Sequence, residues 1–223
     1  MELFEHTFFI NLNHRTDRLE HITQEFNKMG ITAERVEGIQ PKTPAIGCTL
    51  SHIKCLELAK KRDYEQVFIC EDDITFTNPE LFKQNLQKFV DNDTINWNVL
   101  IVSGNNCPPF QKLYDYACRV FYCQCCTGYI VKKEYYDTLL ANFKEGLSKL
   151  IQDPSNKPQY AVDRYWFKLQ MQDYFYLITP LTVIQYDNYS DIEQQQVSYT
   201  NVMLDLDKEW ITRQRSVKKM NLT

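Results

Sequence analysis

Three carboxylates in succession, Glu71-Asp72-Asp73, close the apolar run Gln66-Val67-Phe68-Ile69-Cys70 and are followed by Ile74-Thr75-Phe76. A β-branched and aromatic run of this length, after the helical pattern of Leu56–Lys61, reads as a buried strand. Adjacent carboxylates repel one another, so their place at the mouth of such a strand demands a reason. Two readings are open. One is a solvated acidic turn in which Asp73 caps whatever follows. The other is a ligand edge, because open α/β sheets bind ligands outside the carboxyl ends of their strands. Carboxylates spaced i, i+2 there can meet one hard divalent cation from the same side.

The opening of the chain supports an α/β fold. Thr7-Phe8-Phe9-Ile10-Asn11-Leu12 reads as a first strand, and Leu19, Ile22, Phe26 and Met29 fall on one helical face. Thr16 or Asp17 suits the N-cap of that helix and Gly30 its C-terminal end. Ile31 to Val36 reads as a second strand. Strand, helix and strand in this order predict parallel pairing and a ligand crevice at the first turn. Arg15 and Arg18 flank that turn, where a helix N-terminus and two guanidinium groups suit a diphosphate. Pairing with Asp17 and Glu20 on the surface is the other reading.

A chain of 223 residues accommodates one sizeable α/β domain, and 43% hydrophobic with 24% charged residues excludes disorder over most of it. A net charge of −4 argues against nucleic acid as a partner. Acidic residues stand where a signal peptide would be basic, and no stretch approaches the roughly 18 apolar residues of a membrane span. A cytoplasmic, reducing location is therefore expected. The eight cysteines then read as thiols, with Cys48, Cys55 and Cys70 as small core residues. Cys118, Cys123, Cys125 and Cys126 cluster without the paired CxxC or His spacing of a zinc site.

Gly38 to Gly47, with Pro41 and Pro44, reads as a loop, and Thr49 to Ala59 as a helix with Ser51 and His52 in its first turn. Pro79 to Val90 is a further helix and Trp97 to Gly104 a further strand. Asn105 to Cys118 reads as irregular. Arg119 to Cys123 and Thr127 to Val131 read as a pair of strands, and Phe175 to Gln185 as a last core strand with a Pro break. Asp163 suits a helix N-cap. Residues 1–192 are expected to form the main domain. The remainder, 193–223, is read as an extension with helical character and a basic stretch from Arg213 to Lys219.

In this order the motifs resemble the family 25 glycosyltransferases, which include bacterial lipooligosaccharide sugar transferases and collagen hydroxylysine galactosyltransferases. The matching stretches are Phe9-Ile10-Asn11-Leu12-Asn13 with Arg15, Asp17 and Arg18; Ile46-Gly47-Cys48-Thr49-Leu50-Ser51-His52; Phe68 to Asp73; and Trp97 to Gly104. Tyr129-Ile130-Val131, Val162-Asp163, Gln185 and Ser190-Asp191-Ile192 match more weakly. Where bacterial members often carry Gly-Thr-His-Ala-Tyr, this chain has Cys125-Cys126-Thr127-Gly128-Tyr129, without the His. The resemblance implies a single GT-A-like, Rossmann-related domain with a mostly parallel central sheet. It also implies a UDP-sugar donor, Mn²⁺ or Mg²⁺ dependence, and inversion. It places the family's acidic motif on Glu71, Asp72 and Asp73.

Glycosyl transfer from a diphosphate needs charge neutralised on the leaving group and a base for the acceptor hydroxyl. Glu71 and Asp73 are accordingly assigned to the metal, and Asp72 to ribose or donor-sugar hydroxyls. Asn11, Leu12, Arg15 and Arg18 are placed at the nucleotide, with Ser51 and His52 lining the donor pocket. Asp163 is the candidate base and Asp191 its competitor. The expected partners are a nucleotide sugar and a glycan or hydroxylated protein acceptor, with self-association open. A non-catalytic glycan- or protein-binding relative of the same fold is the competing function. A metal-dependent nucleotidyl or phosphoryl transferase is a third, although the absence of a GxxxxGK[ST] loop weighs against its P-loop version.

Overall fold

The computed structural model describes residues 2–211. In chain order its strands and α-helices begin with β1 (Thr7–Asn11), α1 (Thr16–Met29), β2 (Glu34–Glu37), α2 (Pro44–Lys61), β3 (Gln66–Glu71), β4 (Ile74–Phe76) and α3 (Pro79–Val90). Then come β5 (Val99–Asn106), β6 (Phe110–Lys112), β7 (Ala117–Val120), β8 (Cys123–Lys132) and α4 (Tyr136–Gln152). The short helices α5 (Lys157–Tyr160), α6 (Val162–Tyr165) and α7 (Phe167–Gln172) lead into β9 (Phe175–Ile178) and β10 (Val183–Gln185). A hairpin of β11 (Asn188–Ser190) and β12 (Gln195–Val197) precedes α8 (Thr200–Leu204).

The main sheet has the order β2-β1-β3-β8-β5-β9-β7-β6. β1 runs parallel to β2 and β3, and β5 parallel to β9. β8 is antiparallel to both β3 and β5, and β7 to both β9 and β6. Six strands thus point one way, and only β8 and β7 oppose them. This is the mostly parallel sheet of the α/β expectation, with one reversed strand set into its middle.

Alternation along β3 explains the three layers. Val67 and Ile69 join Leu56, Ala59, Leu139 and Phe143 on the α2/α4 face. Phe68 and Cys70 join Ile22, Phe26, Leu86 and Phe89 on the α1/α3 face. A strand buried on both faces has no polar side to show until it ends, and it ends at Glu71. On the α1/α3 side, buried Glu25 accepts a hydrogen bond from the Phe76 N–H at 2.9 Å, tying α1 to β4.

Several sequence expectations change. α2 begins at Pro44, so Ser51 and His52 stand in its middle rather than in its first turn. Proline at the start of a helix gives up no hydrogen bond, because its missing N–H is one of the unpaired four. α1 takes Arg15 as N-cap residue, without a side-chain capping bond, and β2 starts only at Glu34. The segment read as irregular holds the end of β5 and the whole of β6. β7 and β8 do not pair with each other; β8 slots between β3 and β5. The Phe175–Gln185 stretch divides at Pro180 into β9 of the main sheet and β10, which pairs with β4. Asp163 lies inside α6, whose N-cap is Ala161. Beyond residue 192, β12 pairs with β11, and α8 buries Met203. The Arg213–Lys219 stretch lies outside the described residues.

Candidate active site

The β1–β3 register sets the carboxyl edge. Ile10 pairs with Glu71, so Asn11 and Asp72 emerge side by side, and Asn11 Nδ2 donates to Asp72 Oδ2 at 2.8 Å. The turn after β1 closes with Arg15 N–H on the Leu12 carbonyl at 3.0 Å, and α1 starts immediately, bringing Arg18 in its first turn back over the strand ends. Arg18 Nη1 donates to Asp72 Oδ1 and to Asp73 Oδ2, both at 2.9 Å. The carboxylates that share one positive charge are therefore neighbours in sequence, and the charge is a guanidinium. Gln185 Nε2 donates to the same Asp73 oxygen at 3.0 Å.

Arg15 makes a two-pronged pair with Asp17, at 2.9 and 2.8 Å, and its remaining nitrogen donates to Asp191 Oδ2 at 2.6 Å. Both arginines also donate to the Tyr189 carbonyl of β11. The hairpin is thus fastened over the turn of β1. Asp191, named as a base candidate, stands at this arginine end of the site.

Glu71 turns away from Arg18 toward α2. Its Oε1 lies 3.1 Å from His52 Nε2 and accepts from the Cys48 thiol at 3.4 Å. His52, fully buried, has its other ring nitrogen 3.1 Å from the Tyr129 hydroxyl of β8. Ser51 accepts from Ile39 N–H and donates to the Gly47 carbonyl, each at 2.8 Å, so its hydroxyl staples the preceding loop to α2. Gly47 permits that approach: a Cβ there would sit 2.2 Å from the Ile39 carbonyl oxygen.

Two clefts open along this edge. The first, about 340 Å³, is lined by Leu12, Arg15, Arg18, Ser51, His52, Asp191 and all three acidic residues Glu71, Asp72 and Asp73. The second, about 330 Å³, is lined by Asp163, Arg164, Cys125, Cys126 and Tyr199. Cys48 and Glu71 stand in the walls of both. Asp163 accepts the Cys125 N–H at 3.0 Å. The sequence-assigned residues thus divide: Asp163 faces the second cleft only, Glu71 faces both, and Asn11 is tied to the first through its hydrogen bond to Asp72.

Burial dominates the electrostatics. It raises the carboxyl of Asp73 to about 7, with the charges of Glu71 and Asp72 adding to it and Arg18 opposing. Asp72 is also raised by burial, against the pull of Arg18. Glu71 goes the other way: burial pushes it up, but the hydrogen bond and charge of His52 outweigh that. Burial raises Asp163, with help from Glu71. Burial and the Glu71 charge hold the Cys48 thiol well above its ordinary value. Among the buried oxygens without a hydrogen-bond partner are Asp73 Oδ1 and Asn11 Oδ1, beside the first cleft. Sequence reasoning placed Gln185 and Cys48 in the matching stretches but gave neither a role in the site. Cys48 was legible, because it stands four residues before His52 and so shares its helix face.

A family model described as glycosyltransferase family 25 (LPS biosynthesis protein) matches residues 4–45 and 42–166. No curated protein sequence matches the chain. Among solved structures, a glycosyltransferase involved in the glycosylation of the major capsid of PBCV-1 is similar over 89% of this chain and 88% of its own, at 13% identity and a TM-score of 0.47. The glycosyltransferase GlyE of Streptococcus pneumoniae TIGR4 is similar over 93% of this chain and 63% of its own, at 7% identity and a TM-score of 0.51. At 7% identity the likeness to GlyE is one of fold. That fold is the GT-A-like arrangement.

Proposed function

The chain belongs to glycosyltransferase family 25, and on that premise we propose that it moves a hexose from a UDP-sugar to a hydroxyl of a glycan or protein acceptor, with inversion. The observation that carries this reading is the pair of adjoining clefts. One gathers two arginines and four carboxylates, and the other holds the desolvated carboxylate of Asp163, with Glu71 in the wall between them. A diphosphate suits the first cleft, where Arg15 and Arg18 offer charge-assisted hydrogen bonds as negative charge builds on the leaving group. Asn11, Leu12 and Asp72 lie where a nucleoside would be held. Ser51 keeps the cleft wall in shape.

The oxygen donors of Glu71 and Asp73, one of them buried and partnerless, fit a hard cation such as Mn²⁺ or Mg²⁺. When bound, such an ion supplies neutralisation of the developing charge. Asp163 is the proposed base. Its raised affinity for protons brings it closer to what proton abstraction at neutral pH requires, and it faces the second cleft, where an acceptor hydroxyl fits. Asp191 is committed to Arg15 and is better read as a clasp on the nucleotide end. A lipooligosaccharide-type glycan is one acceptor of the right chemistry. Eight free thiols fit a reducing, cytoplasmic compartment, and no helix among the described residues is long and apolar enough to cross a membrane.

The test is nucleotide release from a panel of UDP-, GDP- and CMP-sugars, each with and without Mn²⁺. Release from a UDP-sugar that needs the ion, and falls by about 10²- to 10³-fold in a folded Asp73→Ala variant, is the expected result. A protein whose melting and turnover ignore UDP and Mn²⁺, yet which binds sugar with Asp73 removed, is a binding relative instead.

A further inference from the structure

Cys48 and His52 stand one helical turn apart on the same face of α2, and Glu71 meets them from the end of β3. Their ligand atoms all lie within 4.8 Å of one another: Cys48 Sγ, His52 Nε2 and one Glu71 oxygen. From Glu71 Oε1 the sulfur is 3.4 Å away and the nitrogen 3.1 Å. Tetrahedral zinc, with ligands at about 2.0–2.3 Å, sets its ligand atoms roughly 3.4–3.6 Å apart. The pairs to Glu71 match that spacing within a few tenths of an ångström. We propose that Cys48, His52 and Glu71 form a three-ligand site for Zn²⁺, separate from the carboxylates that face Arg18.

A second observation supports the assignment. His52 Nδ1 rests 3.1 Å from the Tyr129 hydroxyl, a partner that fixes the ring and leaves Nε2 for the metal, as groups behind a metal ligand commonly do. Thiolate and imidazole favour zinc over magnesium or manganese, whereas carboxylate oxygens alone, such as those of Asp73, have the opposite preference. Three protein ligands leave a fourth position open. Because Cys48 and Glu71 line both clefts, that position can be reached from solvent. On binding, the Cys48 thiol and the His52–Glu71 contact release their protons to solvent, and no redox step is involved. The site needs neither nucleotide nor Asp73, so its test is separate from that of sugar transfer, although Glu71 is the one residue both metal readings call on.

The experiment uses the full chain, reduced and freed of divalent cations, with no nucleotide. Co²⁺ serves as the optical probe, and Zn²⁺ affinity is read by competition with a chromophoric chelator. One equivalent of Co²⁺ is expected to give a thiolate-to-cobalt charge-transfer band that Zn²⁺ abolishes and Mn²⁺ does not. Cys48→Ser should remove the band and weaken Zn²⁺ binding by at least about 10- to 100-fold, the loss seen when even a supporting group is removed. Asp73→Asn should leave the band intact. A band that survives in Cys48→Ser places the metal on other thiols and overturns the proposal, as does its absence from the parent protein. If Cys48→Ser does not fold, Glu71→Gln carries the same affinity test: unchanged zinc binding overturns the proposal, and a loss on the same scale supports it.

Discussion

Removing the Arg18 guanidinium leaves Asp72 and Asp73 buried with no positive charge on either. Breaking a buried pair from one side typically costs about 3–5 kcal/mol. Arg18→Ala is expected near the lower end, about 3 kcal/mol by urea unfolding, because Asp73 can take up a proton in compensation. A loss below about 1 kcal/mol would mean that the carboxylates are solvated. Asp73 also fixes a pH dependence. Folded, it holds its proton up to about 7, whereas in the unfolded chain an aspartate titrates near about 3.9. Between those values the unfolded chain binds fewer protons, so in the cation-free protein stability falls as pH rises from about 4 to about 7 and then levels off. Asp73→Asn should lose that slope. Parallel curves for parent and variant across the window would remove Asp73 as the titrating group. At this scale the sequence was informative about residue types and silent about partners. It left the triplet open between a solvated turn and a ligand edge, and only the fold shows Arg18 against two members and His52 against the third.

Elements were legible where local signals agreed. β1, α1, β3 and α3 each combine one hydrophobic period with recognisable ends, and their positions follow from that. α2 was misread because Pro44 and Gly47 look like loop residues, yet each has a helical task here: one starts the helix, the other lets the loop at Ile39 lie against it. Gly47→Ala tests this. Its new methyl would meet backbone at 2.2 Å and Pro41 at 2.6 Å, so a loss of about 1–3 kcal/mol in thermal or urea unfolding is expected. An unchanged midpoint would show that the loop yields freely. β7 and β8 were misassigned for a different reason. Strand pairing between distant segments leaves no local trace, and Cys125, with φ of 70° where β8 and β5 slip register, interrupts the alternation that would have marked one long strand.

On the scale of the molecule, family membership was readable because motifs far apart in sequence keep a fixed order. The double cleft was not, because it depends on β8 entering the sheet between β3 and β5 and carrying Cys125, Cys126 and Thr127 to the same edge. The β11–β12 hairpin belongs to this level too, since it is held by Arg15 and Arg18 rather than by the main sheet. UDP with Mn²⁺ is expected to slow amide hydrogen exchange across residues 188–197 and 39–43, which border the first cleft, and to leave α3 unaffected. Uniform protection, or none at the hairpin, would place the nucleotide elsewhere. Glu71 and Cys48 separate the two clefts by the thickness of a side chain. A ligand that draws Glu71 toward itself withdraws it from whatever lies on the far side. Thermodynamic linkage then makes the two occupancies reciprocal: the factor by which the first alters the affinity of the second equals the factor in the opposite order. A cooperativity of either sign needs no moving domain here, only one carboxylate with two neighbours.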